Sequence, residues 1–456
     1  MKFCVQTKSD YFIRVCLLLS VLIIQGCATY SQAFHPVENK LAGQDPAGAL
    51  KILEDQDHSD SDKLLYLLNK AMLQRMQNNY SASNETFEQA KLVVDSFSAT
   101  SIREHSASFI YNDTSLAYSG TPLDQVMLHT YATLNYLELN RIDEARVEIL
   151  QTDLRLRQLM DNAPNSALSV DPFSQYLAGM VYEDLGEYSD AMIAYRKAMI
   201  AYQTHNKALY PITVPKALKF DLIRTARRIG LDNESKQLMR KFNLKKAQIP
   251  PHSDDDSEVV LILHNGLAPV KQEKSVGLID PSSGQLIRVS LPYYLNRPKP
   301  MITARLRAVN RNDKNQIVEQ YEALNQAEVV EQIDAIDHET LESYLPAITA
   351  RALARAVVKY QAAREANRQN GWAGLLINLA GFATERADTR SWLTLPAEIQ
   401  LARLRLKMGQ YDLSLALLDN SNHQVKTIPL GRINLLPGKR RYISYHHIPS
   451  YIFVQH

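Results

Sequence analysis

Residues Phe173 to Gln203 read FSQYLAGMVYEDLGEYSDAMIAYRKAMIAYQ, and no other stretch restricts the fold of this chain as strongly. Apolar and small residues recur at helical spacing on either side of Gly186, so the stretch forms two short antiparallel helices. Gly186 stands just after the last turn of the first helix, where a left-handed residue ends it. Gly179 on the first helix and Ala191 on the second are small where two backbones approach closely. Tyr182, Tyr188 and Tyr195 supply the bulk around that contact, and Ala191, Tyr195 and Ala198 recur on one face of the second helix. The pair is built to pack.

The series Ala178, Gly179, Tyr182, Gly186, Tyr188, Ala191, Tyr195, Ala198 resembles that of a tetratricopeptide repeat. The Trp usual early in the first helix is Gln175 here, and the Pro usual at the end is Gln203. Three further stretches keep the register. Leu64 to Val94 carries Tyr80, Ser83, Phe87 and Ala90; Met127 to Leu156 carries Tyr136, Asn140, Ala145 and Ile149; Leu218 to Phe242 carries Gly230, Ser235, Met239 and Phe242. Asn140 takes the left-handed place of Gly186. The small positions Ser83, Ala145, Ala191 and Ser235 are 62, 46 and 44 residues apart, all longer than the usual period of about 34. The copies are therefore degenerate, with insertions. Four such pairs stack into a curved solenoid with a concave face; the alternative is an irregular bundle without a groove. The resemblance implies protein binding as the mode of action.

The first 26 residues place Lys2, Lys8 and Arg14 ahead of an apolar run from Val15 to Ile24. That order is a secretory signal peptide, and the run is too short for a convincing membrane span. It ends Ile24-Gln25-Gly26-Cys27, which resembles a bacterial lipobox and implies that Cys27 carries acyl chains, palmitate among them. The three cysteines are Cys4, Cys16 and Cys27, so cleavage leaves one thiol and no possible disulfide. Several acyl chains on one residue anchor a protein stably. Ala28 follows the cysteine in place of the inner-membrane retention Asp, so the expected address is the outer membrane, on its periplasmic face. Removing the leader turns 51 basic and 49 acidic residues into 48 of each. A neutral chain without a basic, aromatic-interleaved patch is not a nucleic-acid binder.

The expected layout is an α+β multidomain chain. A tether over 27–40 leads to a helical domain over 41–247, followed by a linker over 248–257. That linker contains Pro250-Pro251 and an acidic run. Residues 258–456 then form a small antiparallel β domain with an inserted helical arm over 337–383. Its strands are Glu258–His264, Leu286–Leu291, Met301–Val309, Ile317–Tyr321, Arg390–Leu395, Ala402–Lys407, Asp412–Leu418, Val425–Leu430 and Arg441–Tyr445. In the arm, Asp337 is the expected cap. Arg351, Arg355 and Lys359 form a basic stripe expected to face solvent. The glycine-rich apolar run Asn370 to Phe382 is expected to be buried against the neighbouring sheet, with contact to a membrane surface or a partner as the alternative.

Three stretches, Tyr118 to His129, Asn265 to Lys271 and Ala387 to Ile399, together resemble an uncharacterised family of tetratricopeptide-containing bacterial lipoproteins. That resemblance covers nearly the whole mature chain and implies the envelope address, but lends no activity. The sequence holds no nucleophile elbow, phosphate loop, HExxH, zinc-ligand pair or dinucleotide fingerprint. The aspartates of 55–62 lack the Gly and Glu of a calcium loop. Neither a cofactor nor a metal is expected. Asp388, Arg390 and Trp392 alternate, so on a strand they would share a face that could bind a sugar or peptide; a surface ion pair beside an indole at the core edge is the plainer reading. His129 lacks a partner at metal spacing and reads as structural; His446 and His447 point to opposite faces of a strand. Three functions follow: a lipid-anchored, non-catalytic scaffold that binds envelope proteins, a glycan or peptidoglycan binder, and a hydrolase of envelope polymers.

Overall fold

A computed structural model describes residues 30–100, 116–162, 171–208, 212–249, 255–299, 302–311, 316–322, 326–419 and 421–450. The expected leader and Cys27 lie outside them. Among the described residues ten α-helices come first: α1 (Tyr30–Ala42), α2 (Pro46–Asp55), α3 (Lys63–Met76), α4 (Tyr80–Thr100), α5 (Pro122–Glu138), α6 (Ile142–Asn162), α7 (Pro172–Asp184), α8 (Tyr188–Ala208), α9 (Lys216–Arg228) and α10 (Asp232–Lys241).

The four repeat pairs share one local device. Asn78, Asn140, Gly186 and Gly230 sit between the helices of each pair with φ of 60°, 55°, 77° and 79°. The next amide in each case reaches back five residues to a carbonyl: Asn79 to Gln74, Arg141 to Tyr136, Glu187 to Tyr182 and Leu231 to Ala226, at 2.8–3.0 Å. This closes the orphan carbonyls at a helix end and sets the angle at which the second helix returns. Within the third pair, a Cβ on Gly179 would stand 2.2 Å from the Tyr195 ring. Only glycine lets that ring lie against the α7 backbone.

The segment expected as a tether differs. α1 begins at Tyr30 and buries Phe34, Val37 and Leu41 against α2 and the β half. Pro36 inside the helix hides it from a sequence reading. The helical half thus starts ahead of the expected residue 41, with a fifth pair.

The described residues of the second half form ten strands: β1 (Ser257–Asn265), β2 (Val270–Ile279), β3 (Leu286–Leu295), β4 (Thr303–Arg311), β5 (Ile317–Glu322), β6 (Glu328–Glu331), β7 (Glu398–Leu406), β8 (Gly409–Leu418), β9 (Gln424–Leu435) and β10 (Arg440–His447). They form two four-stranded sheets, ordered β10-β1-β7-β6 and β5-β4-β8-β9, and a β2–β3 hairpin. The expected antiparallel domain needs one correction, because β10 pairs with β1 in parallel, from Glu258↔Arg440 to Asn265↔His447. β1 is buried on both faces. Val259, Leu261 and Leu263 meet Leu306, Leu413 and Leu415 of the second sheet, while Val260 and Ile262 join the core of the helices. Helices, first sheet and second sheet are therefore three successive layers.

Arg390–Leu395, expected as a strand, is irregular, whereas β2 and β6 were not expected. The arm is α11 (Ile333–Gln369) and α12 (Gly371–Thr384). Asp337 lies inside α11, whose cap position is Gln332. Arg355 does not face solvent: it is 1% exposed, and its Nη2 lies 3.2 Å from Glu385 Oε1. Lys359 holds the other oxygen of Glu385 at 2.7 Å.

Candidate functional site

In a repeat solenoid the concave face is the usual place to look for a partner. Here the chain covers it. The first helix of each repeat pair is pinned to the β half: Asn69 of α3 accepts from the Thr394 amide at 3.1 Å, and Glu138 of α5 from that of Ser444 at 2.5 Å. Tyr131 of α5 bonds His264 at 3.2 Å. Tyr176 of α7 accepts from Arg403 at 2.9 Å, and Asp221 of α9 contacts the same guanidinium. α5 is consequently buried along the whole run from Val126 to Asn135.

An ionic network crosses the far end of this junction. Glu258 on β1 accepts from Arg403 Nε at 2.9 Å and from Arg440 Nε at 2.9 Å. Arg440 then donates to Asp184 at 2.8 Å and Glu183 at 2.6 Å on α7. Arg224 of α9 reaches both Glu183 and Asp221. Burial alone would push the Glu258 carboxyl up, but Arg403 and Arg440 outweigh it and hold the group well below the usual carboxylate range. Asp184 is pushed up, because for it burial outweighs the pull of Arg440. Every carboxylate named here touches an arginine, so the network ties layers together and offers no general base.

A cavity of about 430 Å3 borders this network, and the solenoid has a further open feature on its other side. A cavity of about 500 Å3 runs between the second helices α4 and α6, with α5 as its floor. The floor is a chain of three groups. His129 Nδ1 lies 2.9 Å from Glu148 Oε2, and Lys91 Nζ donates to Glu148 Oε1 at 2.6 Å. Burial raises the Glu148 carboxyl, but the His129 hydrogen bond and the Lys91 charge together bring it below its ordinary value. The rim mixes charge with bare apolar groups: Glu88, Asp95 and Glu144 line it, and between them Leu92 is 72% and Val147 53% exposed. Leu150 and Leu154 on α6, and Ile193 and Ile200 on α8, continue the outward row. A volume of this size accepts a few side chains of a bound segment.

The sequence-predicted residues are placed as follows. Gly179, Tyr195, Ala191 and Ala198 are in the α7–α8 contact, with Tyr195 donating to Glu183 at 2.8 Å. Tyr182 and Tyr188 are half-buried at its edge, and Gly186 is exposed at the turn. Asp388, Arg390 and Trp392 do not share a strand face. Arg390 is buried, donating to Asp388 at 2.8 Å and to the Leu116 carbonyl at 2.9 Å. Trp392 is 2% exposed, edge-on to Phe87 and Tyr131, its Nε1 donating to Thr394 at 3.0 Å. A ring so enclosed has no face for a sugar. His446 stacks on His264 at 4.3 Å inside the core, and burial holds both imidazoles well below their ordinary value, so both are neutral. Cys27 lies outside the described residues. His129 has a carboxylate partner that local spacing did not reveal, since Glu148 is 19 residues away on the next helix. Among the described residues no group of three or more His, Cys, Asp and Glu is arranged to hold a metal ion.

No family model and no curated protein matches the chain. Solved structures give partial likenesses. A MamA RS-1 double mutant is 14% identical over 47% of this chain and 94% of its own, with a TM-score of 0.30. The apo form of RapI is 11% identical over 49% and 56%, at 0.34. A Rap protein complexed with competence and sporulation factor is 13% identical over 46% and 52%, at 0.29. The chain spans about half the length of these two Rap proteins, and scores at this level transfer no function. What the molecule's own geometry defines is a helical-repeat solenoid whose inner face is closed by a two-sheet domain.

Proposed function

We propose that this protein is a non-catalytic scaffold of the bacterial cell envelope, held at the outer membrane by acyl chains on Cys27, and that it grips a segment of a partner protein in the groove between α4 and α6. The observation that carries the binding mode is the pairing of a covered inner face with an outer groove in which Leu92 and Val147 stand exposed among charged neighbours. Burying such side chains against a partner contributes roughly 1.5–3 kcal/mol each. The Lys91–Glu148–His129 floor is already paired within the chain, so it orients a polar group of the partner without demanding a charged one. The lipid anchor raises the local concentration of whatever is bound. The anchor is supported by the lipobox-like Ile24-Gln25-Gly26-Cys27 alone.

Two measurements test this. Leu92→Glu with Val147→Glu, in chains crosslinked within intact envelopes, should remove the partner bands that the wild type gives; bands that persist unchanged would refute the groove. Cys27→Ala should abolish palmitate incorporation and outer-membrane fractionation, and if it does neither the envelope address is wrong. Because the first pair of substitutions leaves the anchor intact, the two parts fail separately.

A further inference from the structure

Helix α12 is turned inside out. From Asn370 to Thr384 the chain carries fifteen residues without a charge, NGWAGLLINLAGFAT, and a segment like that normally lies in a core. Here the face that meets the protein is its small and polar one. Gly374 lies against Asn367 of α11 so closely that a Cβ would stand 2.4 Å from the Asn367 side chain. One turn on, Asn378 is clamped to the edge of β3, accepting from the Leu286 amide at 2.9 Å and donating to the Leu286 carbonyl at 2.8 Å. A further turn on, Phe382 covers Gly277 of β2. With Gly374, Asn378 and Phe382 facing inward at helical spacing, the apolar residues point away. Trp372 is 73%, Leu376 65% and Leu375 47% exposed. Ile279 of β2, two residues beyond Gly277 and so on the same strand face, is 65% exposed beside them.

We propose that α12 is a membrane-surface helix that lies in the plane of an anionic bilayer with Trp372, Leu375, Leu376 and Leu379 in the boundary between headgroups and acyl chains. Charge selects this occupant. The hairpin from Arg351 to Arg386 holds six basic residues, Arg351, Arg355, Lys359, Arg364, Arg368 and Arg386, against Glu365 and Glu385. Arg355 and Lys359 are taken up by buried Glu385, which leaves Arg351, Arg364, Arg368 and Arg386 against Glu365, a surplus of three among the exposed and half-buried groups in a chain whose whole net charge is +2. Basic residues next to an uncharged apolar face are what an anionic surface attracts, by lipid charge and acyl burial acting together. Length excludes spanning: fourteen helical residues reach about 21 Å, short of the roughly 30 Å hydrocarbon layer. An exposed Trp in the first turn suits the interface, where its ring is buried and its N–H stays wet. The contact is independent of Cys27, and its failure leaves the α4–α6 groove untouched.

The chain has two tryptophans, and Trp392 is in the core, so Trp372 alone can report. The full-length protein is reconstituted into vesicles of phosphatidylcholine alone, or with phosphatidylglycerol added, each carrying bromine on the acyl chains. The expected result is a blue-shifted Trp372 emission quenched by the bromines in the phosphatidylglycerol vesicles, reduced by salt and lost in Leu375→Glu/Leu379→Glu. Unchanged Trp392 emission in that variant shows that its fold survives. A protein held by acyl chains only would sediment with the vesicles while Trp372 stayed unquenched, and that overturns the proposal. A blue shift that depends on protein concentration without lipid would show a second copy on this face, and overturns it equally.

Discussion

Helices α5 and α12 have exchanged the places their compositions suggest. α5 carries Asp124, His129 and Glu138 and lies at the centre of the molecule, buried at nearly every position. α12 carries no charge and buries only Gly374 and Asn378. The difference lies in what each neighbourhood supplies. Asp124 accepts from Tyr118 and the Thr121 amide, His129 bonds Glu148, and Glu138 takes the Ser444 amide. The polar side chains that α5 itself brings to the centre are met. α12 has α11 and the β2–β3 hairpin beside it, and Asn378 meets the edge of β3. Burial here follows from the partners available, with the apolarity of a segment secondary to them.

If that contrast is right, substitutions at the inner junction should be far more damaging than those on the arm. Arg440→Ala leaves Glu183, Asp184 and Glu258 short of their shared cation, and should cost about 3–5 kcal/mol by urea unfolding; a loss near zero would mean that water already reaches the network. The root of the arm should respond to pH. Asp337 on α11 accepts from Tyr294, and burial first, with the Asp124 charge second, raises its carboxyl from 3.8 to about 8. The folded chain keeps this proton where the unfolded chain has lost it, so stability should fall between those two values as pH rises and level off above the higher one. Asp337→Asn should remove that slope and gain on the order of a few kcal/mol above pH 8; parallel pH curves for the two proteins would show that Asp337 is ionised in the fold. Gly179→Val drives a branched side chain into the Tyr195 ring and should cost about 1–3 kcal/mol, read as a lowered Tm. The smallest effect is expected on the arm: Leu376→Asn should change stability by less than about 0.5 kcal/mol. A larger loss would break the contrast, since it would show the outer face of α12 to be covered.

The repeat pairs were legible because their signals are local. Asn140 and Gly230 need only their own φ to end a helix, and Ser83, Ala145, Ala191 and Ser235 need only the facing helix to be small. The sheets were legible as strands but not as a topology: Ala402–Lys407 and Asp412–Leu418 follow each other in the chain, yet β7 pairs with β1 while β8 pairs with β4. Pairing is decided by distant partners, and β6, with four residues, has too little pattern to declare itself. Trp392 read as a possible ligand contact because its neighbours Asp388 and Arg390 are charged. The charges serve to fix an irregular segment, which leaves the indole free to fill the gap between Phe87 and Tyr131. The groove floor was half visible: His129 stood out, but Glu148 reaches it only once α5 and α6 are folded together.

The parallel pairing of β1 with β10 also orders events in time. Glu258 and Arg440 are 182 residues apart, so a chain emerging amino end first completes α1 to α10 long before the strand that covers them exists. Until that strand is in place, Glu183 and Asp184 of α7 lack the Arg440 that the finished protein sets against them. Whatever attends the young chain meets a binding face that the finished protein no longer has.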